Sequence, residues 1–567
     1  MIAQVYRLGI GAPLLLALAA ELTYAQPPEP DPAPAGRIPP PGAYAPGFDV
    51  QHYALRITLP ADGQRIDAIA TIDIALVAPR RDTLRLDLSG LRVTSVRAGQ
   101  RDGALQASPF RQADGRVFIP VPATVPAGDT LRVAIAYDGV PDDGLVIGRN
   151  VHGARTAFAD NWPDRARFWF PSIDHPSDKA TVEYEVHAPP GWEVVANGRL
   201  TSAPEGGANV WSFEVRVPIP TYTMVIGAAD FAFDTIAACA PGGITALRAD
   251  GCVAVTGLTF PQDSANGTRI FRRAGDMVRY YAERFAPFPY EKLAHVQSAT
   301  RFGGMENVGA IFYSEEGIAQ GRLSEVTVAH ETVHQWFGDA VTPQDWAHLW
   351  LSEGFATYFG MLYFEEADGA ERFRELLAQS ALEYIRSDVT DLPIVDTARA
   401  PGADLFSWLN ANSYNKGGQV LHMLRAELGD SAFFDGLRRY YAAHLHGTAR
   451  TEDLRRALEA ASGRELGWFF EQWVYRPGHP IFRVEHTYVP ATREAVVTLT
   501  QVQKAVWPTF RVSFDVVVDT PAGEVRRRVE VTERAQTIRI PVTTAPTAVR
   551  LDPEGRVLKA RMPVGRG

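Results

Sequence analysis

The hydrophobic residues of this chain change their spacing twice along its length, and these changes restrict its fold. From Phe48 to about Val255, short runs such as HYALRITL and LRVAIAY alternate apolar with polar residues, which is typical of β-strands with one buried face. From about Gly267 to Tyr475 the period is that of helices, and beyond His479 the alternation returns in REAVVTLTQ and TFRVSFDVVV. Within the helical region, Thr451 is a predicted N-cap and Gly463 a predicted helix end. The pattern predicts a multidomain α+β protein with an N-terminal β-sandwich, a mainly helical domain and a small C-terminal β-sandwich.

A chain of 567 residues is too long for one hydrophobic core, so the changes in spacing serve as domain boundaries. The segment from Gln26 to Gly47 is so rich in proline that it can form neither a helix nor a sheet ladder, which indicates an extended linker. We predict five segments: a signal peptide at 1–25, a linker at 26–47, an N-terminal β domain at 48–258, a catalytic domain at 259–477 and a C-terminal β-sandwich at 478–567.

The N-terminal residues have the pattern of a secretory signal peptide. Arg7 precedes an apolar run from Leu14 to Ala20, and Thr23-Tyr24-Ala25 is a small-residue cleavage pattern, with cleavage predicted after Ala25. The alternative is an uncleaved anchor, but the apolar run is shorter than the ~20 residues that a membrane span requires. We therefore expect a mature protein without a transmembrane segment, located in the periplasm or secreted.

The two cysteines and the net charge restrict the chemistry further. Cys239 and Cys252 lie close together in CAPGGITALRADGC without the spacing of a metal site. In an exported protein such a pair can close a disulfide loop, and two free thiols are the alternative. The formal charge of −10 argues against a nucleic-acid partner, because binding phosphates requires a basic surface.

The stretch VAHETVHQWFGD contains the strongest candidate for a chemical site. A helix is predicted over 325–338, with Ser324 as its N-cap and Gly338 at its end. On that helix His330 and His334 share a face and can bind one metal ion, while Glu331 lies about 100° around the axis. That position suits a base that takes a proton from a metal-activated water. The alternative is a polar segment on an ordinary helix, since histidines on helices are usually structural.

A third candidate ligand follows, with eighteen residues between it and His334. Glu353 lies in DWAHLWLSEGFATYFGMLYF, where Asp345 is the predicted N-cap and apolar residues on nearly all sides predict a buried helix. A lone carboxylate on a buried helix costs several kcal/mol unless it is paired or bound to a metal. Two histidines and one glutamate leave a fourth position open, as in catalytic zinc sites. The three residues therefore predict a zinc ion rather than a satisfied polar core.

Four motifs in the same order resemble the gluzincin aminopeptidase family, which includes aminopeptidase N and leukotriene hydrolase. The segment GGMEN at 303–307 resembles the family's GxMEN exopeptidase motif, and SYNKG at 413–417 resembles the segment that carries its catalytic tyrosine. HETVH and WLSEGFATY resemble its zinc-binding motifs. The N-terminal segment ARFWFPSIDHPSDKA has the residues of the family's AR…P…D.P element, namely Arg167, Pro171, Asp174 and Pro176. The resemblance covers most of residues 48–480.

The resemblance implies a thermolysin-like catalytic domain that hydrolyses peptides with a free N-terminus. It implies one Zn²⁺ per chain, with His330, His334 and Glu353 as ligands. Glu331 is then the general base, and Tyr414 donates a hydrogen bond to the oxyanion that develops on the scissile carbonyl. Tyr414 is one of 19 tyrosines, and the SYNKG match alone distinguishes it. The substrate-binding residues are those of GGMEN: Gly303, Gly304, Met305, Glu306 and Asn307.

The GGMEN segment also has a physical interpretation of its own. Its two glycines allow a backbone to approach a ligand closely, so an edge strand here can hydrogen-bond an extended peptide. Glu306 would then pair with the protonated α-amine of the substrate. The alternative is a solvated loop carboxylate, and the residues alone favour neither interpretation.

The chain departs from the family in two places. Trp162 lies where relatives have a Gln or Glu that helps to hold the amine, twelve residues before Asp174. Either Asn161 or Asp164 replaces it, or the first domain contributes less to binding the amine. The large helical C-terminal domain of many relatives does not follow the last β region, which predicts a more open cleft.

Other functions compete with aminopeptidase activity. A zinc endopeptidase or an epoxide hydrolase would use the same metal site, and a non-catalytic binding scaffold is the more distant alternative. A scaffold would be expected to lose metal ligands or the base, yet His330, Glu331, His334 and Glu353 are all present. The sequence leaves open the preferred first residue of the substrate and the oligomeric state.

Overall fold

The computed structural model of the protein describes residues 44–77, 81–204, 209–237, 253–396 and 404–562. They form two compact units. The first comprises the described residues of Met1–Asp345, Pro401–Phe406 and His444–Thr448, and the second those of Trp346–Ala400, Ser407–Ala443 and Ala449–Gly567.

Several predictions fall outside the described residues. These are the signal peptide, the linker up to residue 43, and the pairing of Cys239 with Cys252. No helix in the described ranges is long and apolar enough to cross a membrane.

The first unit begins with a β-rich region, as the alternating pattern predicts. Its largest sheet, counted over the described residues, has eight strands in the order 199–202, 210–220, 179–187, 48–58, 66–76, 130–139, 92–100 and 106–107. A four-stranded sheet has the strand order 193–196, 226–229, 155–159 and 145–149. A three-stranded sheet has the order 83–87, 116–120 and 111–113. The strand Phe48–Thr58 shows the expected alternation, since Val50, Leu55 and Ile57 are buried while exposed polar residues lie between them.

The AR…P…D.P element stabilises the interior of this β-rich region. The Arg167 guanidinium Nε lies 3.1 Å from Asp174 Oδ2, and the Arg167 backbone N–H donates to the same oxygen. Asp174 Oδ1 accepts from the Thr221 hydroxyl at 2.8 Å, and Arg167 also donates to the Tyr44 hydroxyl at 3.2 Å. Asp174 is buried, so these contacts satisfy a carboxylate that would be costly to leave alone. The element therefore has a structural role.

The first unit also contains a five-stranded sheet and the helices that alternate with it and follow it, within the part of the chain that the structure describes. The strands lie in the order Ala232–Ala237, Val255–Thr259, Leu293–Ser298, Ala310–Ser314 and Gly304–Met305. The last of these is the edge strand, and it pairs antiparallel with its neighbour. The helices of this region are Ser264–Phe271, Ala274–Arg284, Glu315–Ala319 and Glu325–His334.

The second unit contains mostly helices up to residue 473 and strands beyond it. Its main elements are the helices Trp350–Ala367, Ala370–Arg386, Gly417–Leu428, Asp430–His444 (as far as Ala443), Thr451–Ser462 and Gly467–Trp473, and a π-helix at Asn412–Lys416. The C-terminal strands form two sheets among the described residues. One has the strand order 535–541, 494–501, 481–489 and 560–561, and the other has the order 523–531, 512–520 and 548–551. The protein is thus multidomain and α+β, with a β-rich N-terminal domain and a mainly helical region after it.

Three predicted helix ends are wrong by a few residues. The helix predicted over 325–338 ends at His334, because tight turns follow it and Gly338 lies beyond them. Asp345 does not cap the next helix, since a 3₁₀ turn at Trp346–His348 precedes its start at Trp350. Thr451 is the first helical residue rather than the N-cap, and Asp453 accepts the backbone N–H of Arg450 instead. The predicted stop at Gly463 is confirmed by its left-handed conformation.

Candidate active site

The HExxH helix, Glu325–His334, is fixed at its N-terminus by its own sequence. The Ser324 hydroxyl accepts the N–H of Thr327 at 3.0 Å, as the predicted cap requires. The carboxylate of Glu325, in the first turn, forms ion pairs with Arg272 and Arg273, and a negative charge at a helix N-terminus is favourable. The helix is therefore anchored at the end opposite to the histidines.

The two histidines of this helix bring one nitrogen each to a common point. His330 Nε2 lies 3.1 Å from His334 Nε2. Two zinc–nitrogen bonds of about 2.0–2.1 Å that meet at a tetrahedral angle place their nitrogens about 3.3 Å apart. The Nδ1 of His334 lies 3.1 Å from the carbonyl oxygen of Phe337, so Nδ1–H can donate there and leave Nε2 as a ligand. The imidazole pair fits a metal ion.

Glu331 lies beside this pair, and the edge strand passes directly over its side chain. Ligand atoms of Glu306, Glu331 and His334 all lie within 4.8 Å of one another, a group that could hold a metal ion. A Cβ added at Gly304 would lie 2.2 Å from Glu331 Oε1, so the absence of a side chain at this position lets the strand approach the carboxylate. Both glutamates are buried. The structure thus places the predicted base and the predicted amine-binding residue next to a predicted metal ligand.

The GGMEN segment forms the edge strand of the five-stranded sheet, Gly304–Met305, where Gly304 lies opposite Tyr313 and Met305 opposite Phe312. The Ser314 N–H also donates to the Gly303 carbonyl at 3.1 Å. Glu306 follows the strand with 5% of its surface exposed, so the alternative of a solvated loop carboxylate is wrong. An edge strand beside the site can add an extended peptide as a further strand.

Sequence reasoning missed Gln335, the residue directly after HExxH. Its side chain is fully buried and bonds the backbone of the segment that follows the GGMEN strand. A polar residue among the apolar neighbours Val333, Trp336 and Phe337 was the available signal, because a buried amide needs specific partners.

Trp162 takes the position of the family's Gln or Glu, and aromatic rings surround it. It packs edge-on against Phe302, the residue before the GGMEN motif, and against Phe406, with ring centroids 6.2 and 5.5 Å apart. Asn161 donates to the Thr221 and Met224 carbonyls and accepts from the Trp169 indole N–H, so its amide is engaged in holding the loop.

Asp164, the other candidate for the missing amine contact, is half-buried. It lies 3.0 Å from Arg167 in an ion pair. Both candidates to replace the amine-binding residue are therefore occupied by structural contacts.

Ion pairs connect this loop to the residue that precedes Phe302. Arg301 lies 2.8 Å from Asp143 and 3.2 Å from Asp160, and Arg165 contacts the same two carboxylates at 2.8 and 2.6 Å. Both guanidinium groups also lie within 6 Å of the Phe406 ring. The start of the GGMEN segment is therefore fixed to the N-terminal β-rich region.

In the second unit, Glu353 lies in the first turn of a helix that is buried along most of its length, as the sequence predicts. Its side chain is 4% exposed. The next residue, Gly354, touches the helix Gly417–Leu428: a Cβ at Gly354 would lie 2.9 Å from the Cα of Gly417 and 3.2 Å from the Ser413 carbonyl oxygen. Two backbones meet here because neither glycine carries a side chain.

Tyr414 lies in the π-helix Asn412–Lys416, a rare element that is frequent at functional sites. Its neighbours are buried and hydrogen-bonded, whereas Tyr414 itself is half-buried. The contacts that hold the turn join Asn412 to the Val389 and Leu392 carbonyls, Ser413 to the Trp408 carbonyl, Asn415 to Ser380 and Glu383, and Lys416 to the Arg476 carbonyl. Gly417 ends the turn against Gly354, so Glu353 and Tyr414 lie on two segments in direct contact.

Comparison with known families agrees with these motifs. Residues 271–473 match the model of the peptidase family M1 domain, and residues 49–223 match that of the peptidase M1 N-terminal domain. The chain belongs to peptidase family M1. This is the gluzincin aminopeptidase family that the four motifs resemble, so that prediction is confirmed.

Similar proteins carry aminopeptidase names. The chain is 30% identical over 350 residues to aminopeptidase N of Streptomyces lividans, which covers 57% of this chain and 38% of that protein. It is 27% identical over 434 residues to probable aminopeptidase 2 of Sulfurisphaera tokodaii (70% and 50%), and 27% over 481 residues to aminopeptidase M1-A of Oryza sativa (78% and 52%). The M1 chain therefore spans about half or less of the length of these relatives.

Proposed function

We propose that this M1 family member is a zinc-dependent aminopeptidase that removes the first residue of peptides with a free N-terminus. The observation that carries the proposal is the arrangement in the first unit. The Nε2 atoms of His330 and His334 are 3.1 Å apart, and the carboxylates of Glu331 and Glu306 lie beside His334. A base and an amine-binding group next to a pair of metal ligands are the parts that exopeptidase hydrolysis requires.

We assign one Zn²⁺ per chain to His330, His334 and Glu353. The support is the imidazole geometry, the buried carboxylate of Glu353 and the family's use of zinc. Two nitrogens and one oxygen leave a coordination position for water or substrate. When bound, zinc would polarise the scissile carbonyl and bring the pKa of the attacking water from about 15.7 towards about 7.

Glu331 is the general base in this proposal. Its carboxylate accepts a proton from the attacking water and later delivers one to the leaving amine. Burial under the Gly304 backbone restricts the side chain to few conformations, which keeps the carboxylate close to the histidines.

Glu306 and the edge strand bind the substrate. The Gly304–Met305 strand has a neighbouring strand on one side only among the described residues, so backbone N–H and C=O groups on its other side can pair with an extended peptide. The Glu306 carboxylate then forms a charge-assisted bond to the α-ammonium group, so that the first peptide bond faces Glu331. The acidic character of this group of side chains favours a cation at that end of the substrate.

The phenolic O–H of Tyr414 donates a hydrogen bond to the oxyanion of the tetrahedral intermediate. The π-helix keeps the ring half-exposed while its neighbours are hydrogen-bonded, and Gly354 and Gly417 hold this turn against the helix of Glu353. Both features support a fixed donor.

Metal analysis combined with N-acetylated substrates tests this function. The purified protein should contain about one zinc per chain, cleave leucine anilide, and lose that activity with a chelator. N-acetylation should abolish cleavage. Cleavage of blocked peptides would instead support an endopeptidase, and turnover of an epoxide but not of leucine anilide would support an epoxide hydrolase. An active metal-free protein would refute the zinc mechanism, and a zinc-loaded protein without hydrolysis would support a scaffold.

The remaining predictions are proposals about the whole protein. Cleavage of the N-terminal 25 residues would place the protein in the periplasm or outside the cell, on the basis of the sequence pattern alone. The N-terminal β-rich region and the C-terminal strands are proposed to be β-sandwiches that flank a thermolysin-like domain, with the boundaries 48–258, 259–477 and 478–567. Mass spectrometry of the exported protein would test the cleavage site.

A further inference from the structure

Gln335 connects the HExxH helix to the segment that carries Glu306. Its side-chain Oε1 accepts the backbone N–H of Gly309 at 2.8 Å, and its Nε2 donates to the backbone carbonyl of Glu306 at 3.0 Å. The same Nε2 donates to Asp339 Oδ2 at 2.8 Å. One fully buried carboxamide thus bonds both ends of the 306–309 segment.

Chemistry fixes the orientation of this amide. The N–H of Gly309 can only donate and the carbonyl of Glu306 can only accept, so one orientation of the Gln335 carboxamide satisfies both groups. A flipped amide would place two donors and two acceptors against each other in a buried position, which costs free energy. The side chain is therefore held in one orientation and links the backbone of Glu306 to that of Gly309.

Other buried groups hold the same segment in one conformation. The Asn197 amide donates to the Val308 carbonyl at 2.7 Å, and the Lys292 ammonium donates to the Gly309 carbonyl at 2.8 Å. Gly309 has a φ of 64°, a left-handed conformation that favours glycine. The turn is rigid, so a contact at its two ends sets the position of Glu306 as well.

We propose that Gln335 is a positioning residue that sets the distance of Glu306 from the imidazole pair and thereby determines recognition of the substrate's free α-amine. This inference rests on the proposed role of Glu306 in binding that amine. The carboxylate of Glu306 lies within 4.8 Å of the ligand atom of His334, so its place relative to the metal depends on the contact between the two segments. Loss of the Gln335 hydrogen bonds leaves His330 and His334 on their helix but frees the backbone of Glu306 to move.

Gln335→Met removes both backbone bonds and keeps a side chain of similar length. Gln297→Met is a matched control, because Gln297 is equally buried and bonds the same kinds of group: one backbone N–H, one aspartate and one backbone carbonyl. It accepts the N–H of Phe260 at 2.8 Å, and it donates to Asp263 at 2.7 Å and to the Glu315 carbonyl at 3.1 Å. Both variants lose three buried hydrogen bonds, but only Gln335 contacts the backbone of Glu306.

The test uses two inhibitors that differ in the amine alone: leucine hydroxamate and its desamino analogue, 4-methylpentanohydroxamic acid. Both bind through the hydroxamate. The Ki of the desamino compound divided by the Ki of leucine hydroxamate therefore measures amine recognition separately from metal affinity. In Gln335→Met we expect this ratio to fall about tenfold, since a misaligned charge-assisted bond loses most of its contribution. Zinc content and the Ki of the desamino compound should stay near the wild-type values. In Gln297→Met the ratio should not change.

The outcomes separate this inference from the proposed function. If the wild type does not prefer the amine-bearing hydroxamate, the proposed role of Glu306 fails. If the wild type prefers it and a zinc-loaded Gln335→Met variant keeps the full preference, the positioning role of Gln335 alone is refuted. Should Gln335→Met not fold, Gln335→Asn decides, because it keeps a carboxamide but is one methylene shorter and cannot reach both Gly309 and Glu306. A retained preference in that variant refutes the inference in the same way.

Discussion

Gly354→Ala should reduce catalysis by forcing apart the two segments that carry Glu353 and Tyr414. The added methyl group would lie 2.9 Å from the Cα and carbonyl carbon of Gly417 and 3.2 Å from the Ser413 oxygen. Carbon atoms in contact prefer separations of about 3.5–4.0 Å, so the segments must separate by roughly 0.6–1.1 Å. The contacting atoms belong to the backbone, which cannot rotate away as a side chain can.

The size of the effect follows from this displacement. Overpacking of this kind destabilises a protein by about 1–3 kcal/mol, and misplacement of catalytic groups by about 1 Å can lower a rate by about 100-fold. We expect kcat on leucine anilide to fall about 10- to 100-fold with a smaller change in KM, because Tyr414 is proposed to act in the transition state. The assay is steady-state kinetics at saturating zinc, together with the metal content and the melting temperature.

Gly467→Ala is the matched control for Gly354→Ala. It also adds a methyl group to a helical glycine of the second unit, and a Cβ there would meet only the end of the Arg455 side chain, at 3.9 Å. Its kinetics should equal those of the wild type. If Gly354→Ala folds, binds zinc and keeps a kcat within twofold of the wild type, the geometric coupling of Glu353 to Tyr414 through this glycine contact is wrong.

Three further predictions concern the base, the tyrosine and acid stability. Glu331→Gln should retain zinc and lose at least about 100-fold in kcat, and near-normal turnover would exclude Glu331 as the base. Tyr414→Phe should lower kcat about 10- to 100-fold with little change in KM, whereas an effect confined to KM would contradict the oxyanion role. Burial lowers the pKa of His295 from 6.5 to about 3, so the unfolded chain binds a proton that the folded protein does not between these values, and stability falls as the pH drops through that range. His295→Phe should therefore lose stability at pH 7, through the lost bond to Tyr313, but show a shallower decline in melting temperature from pH 6.5 to 4, and an unchanged slope would refute this assignment.

Local chemistry explains which parts of the fold the sequence could predict. The cap at Ser324 and the stop at Gly463 were correct because each depends on one side chain or one backbone conformation. The helix end predicted at Gly338 was wrong because the turns after His334 depend on surrounding contacts, including the bond of His334 Nδ1 to the Phe337 carbonyl. Long-range partners have no local signal.

The candidate site shows the same division. The spacing of His330 and His334 on a helix predicts that they share a face, and their Nε2 atoms do lie together. The π-helix at Tyr414 could not be predicted, because most of the contacts that hold its wide turn reach residues between 20 and 60 positions away in the chain. Gln335 was missed for a related reason, since Glu306 and Gly309 lie 29 and 26 positions away, in the segment between two strands.

The Arg167–Asp174 pair has a consequence for how members of this family are recognised. Both residues bond groups inside the β-rich region and belong to the framework that Thr221 and Tyr44 complete. A homologue that had lost hydrolytic activity would still need this ion pair to stabilise its N-terminal β-rich region. Genomic surveys that count family members by this element alone would therefore include proteins without catalytic activity, and the number of working enzymes has to be taken from the histidines instead.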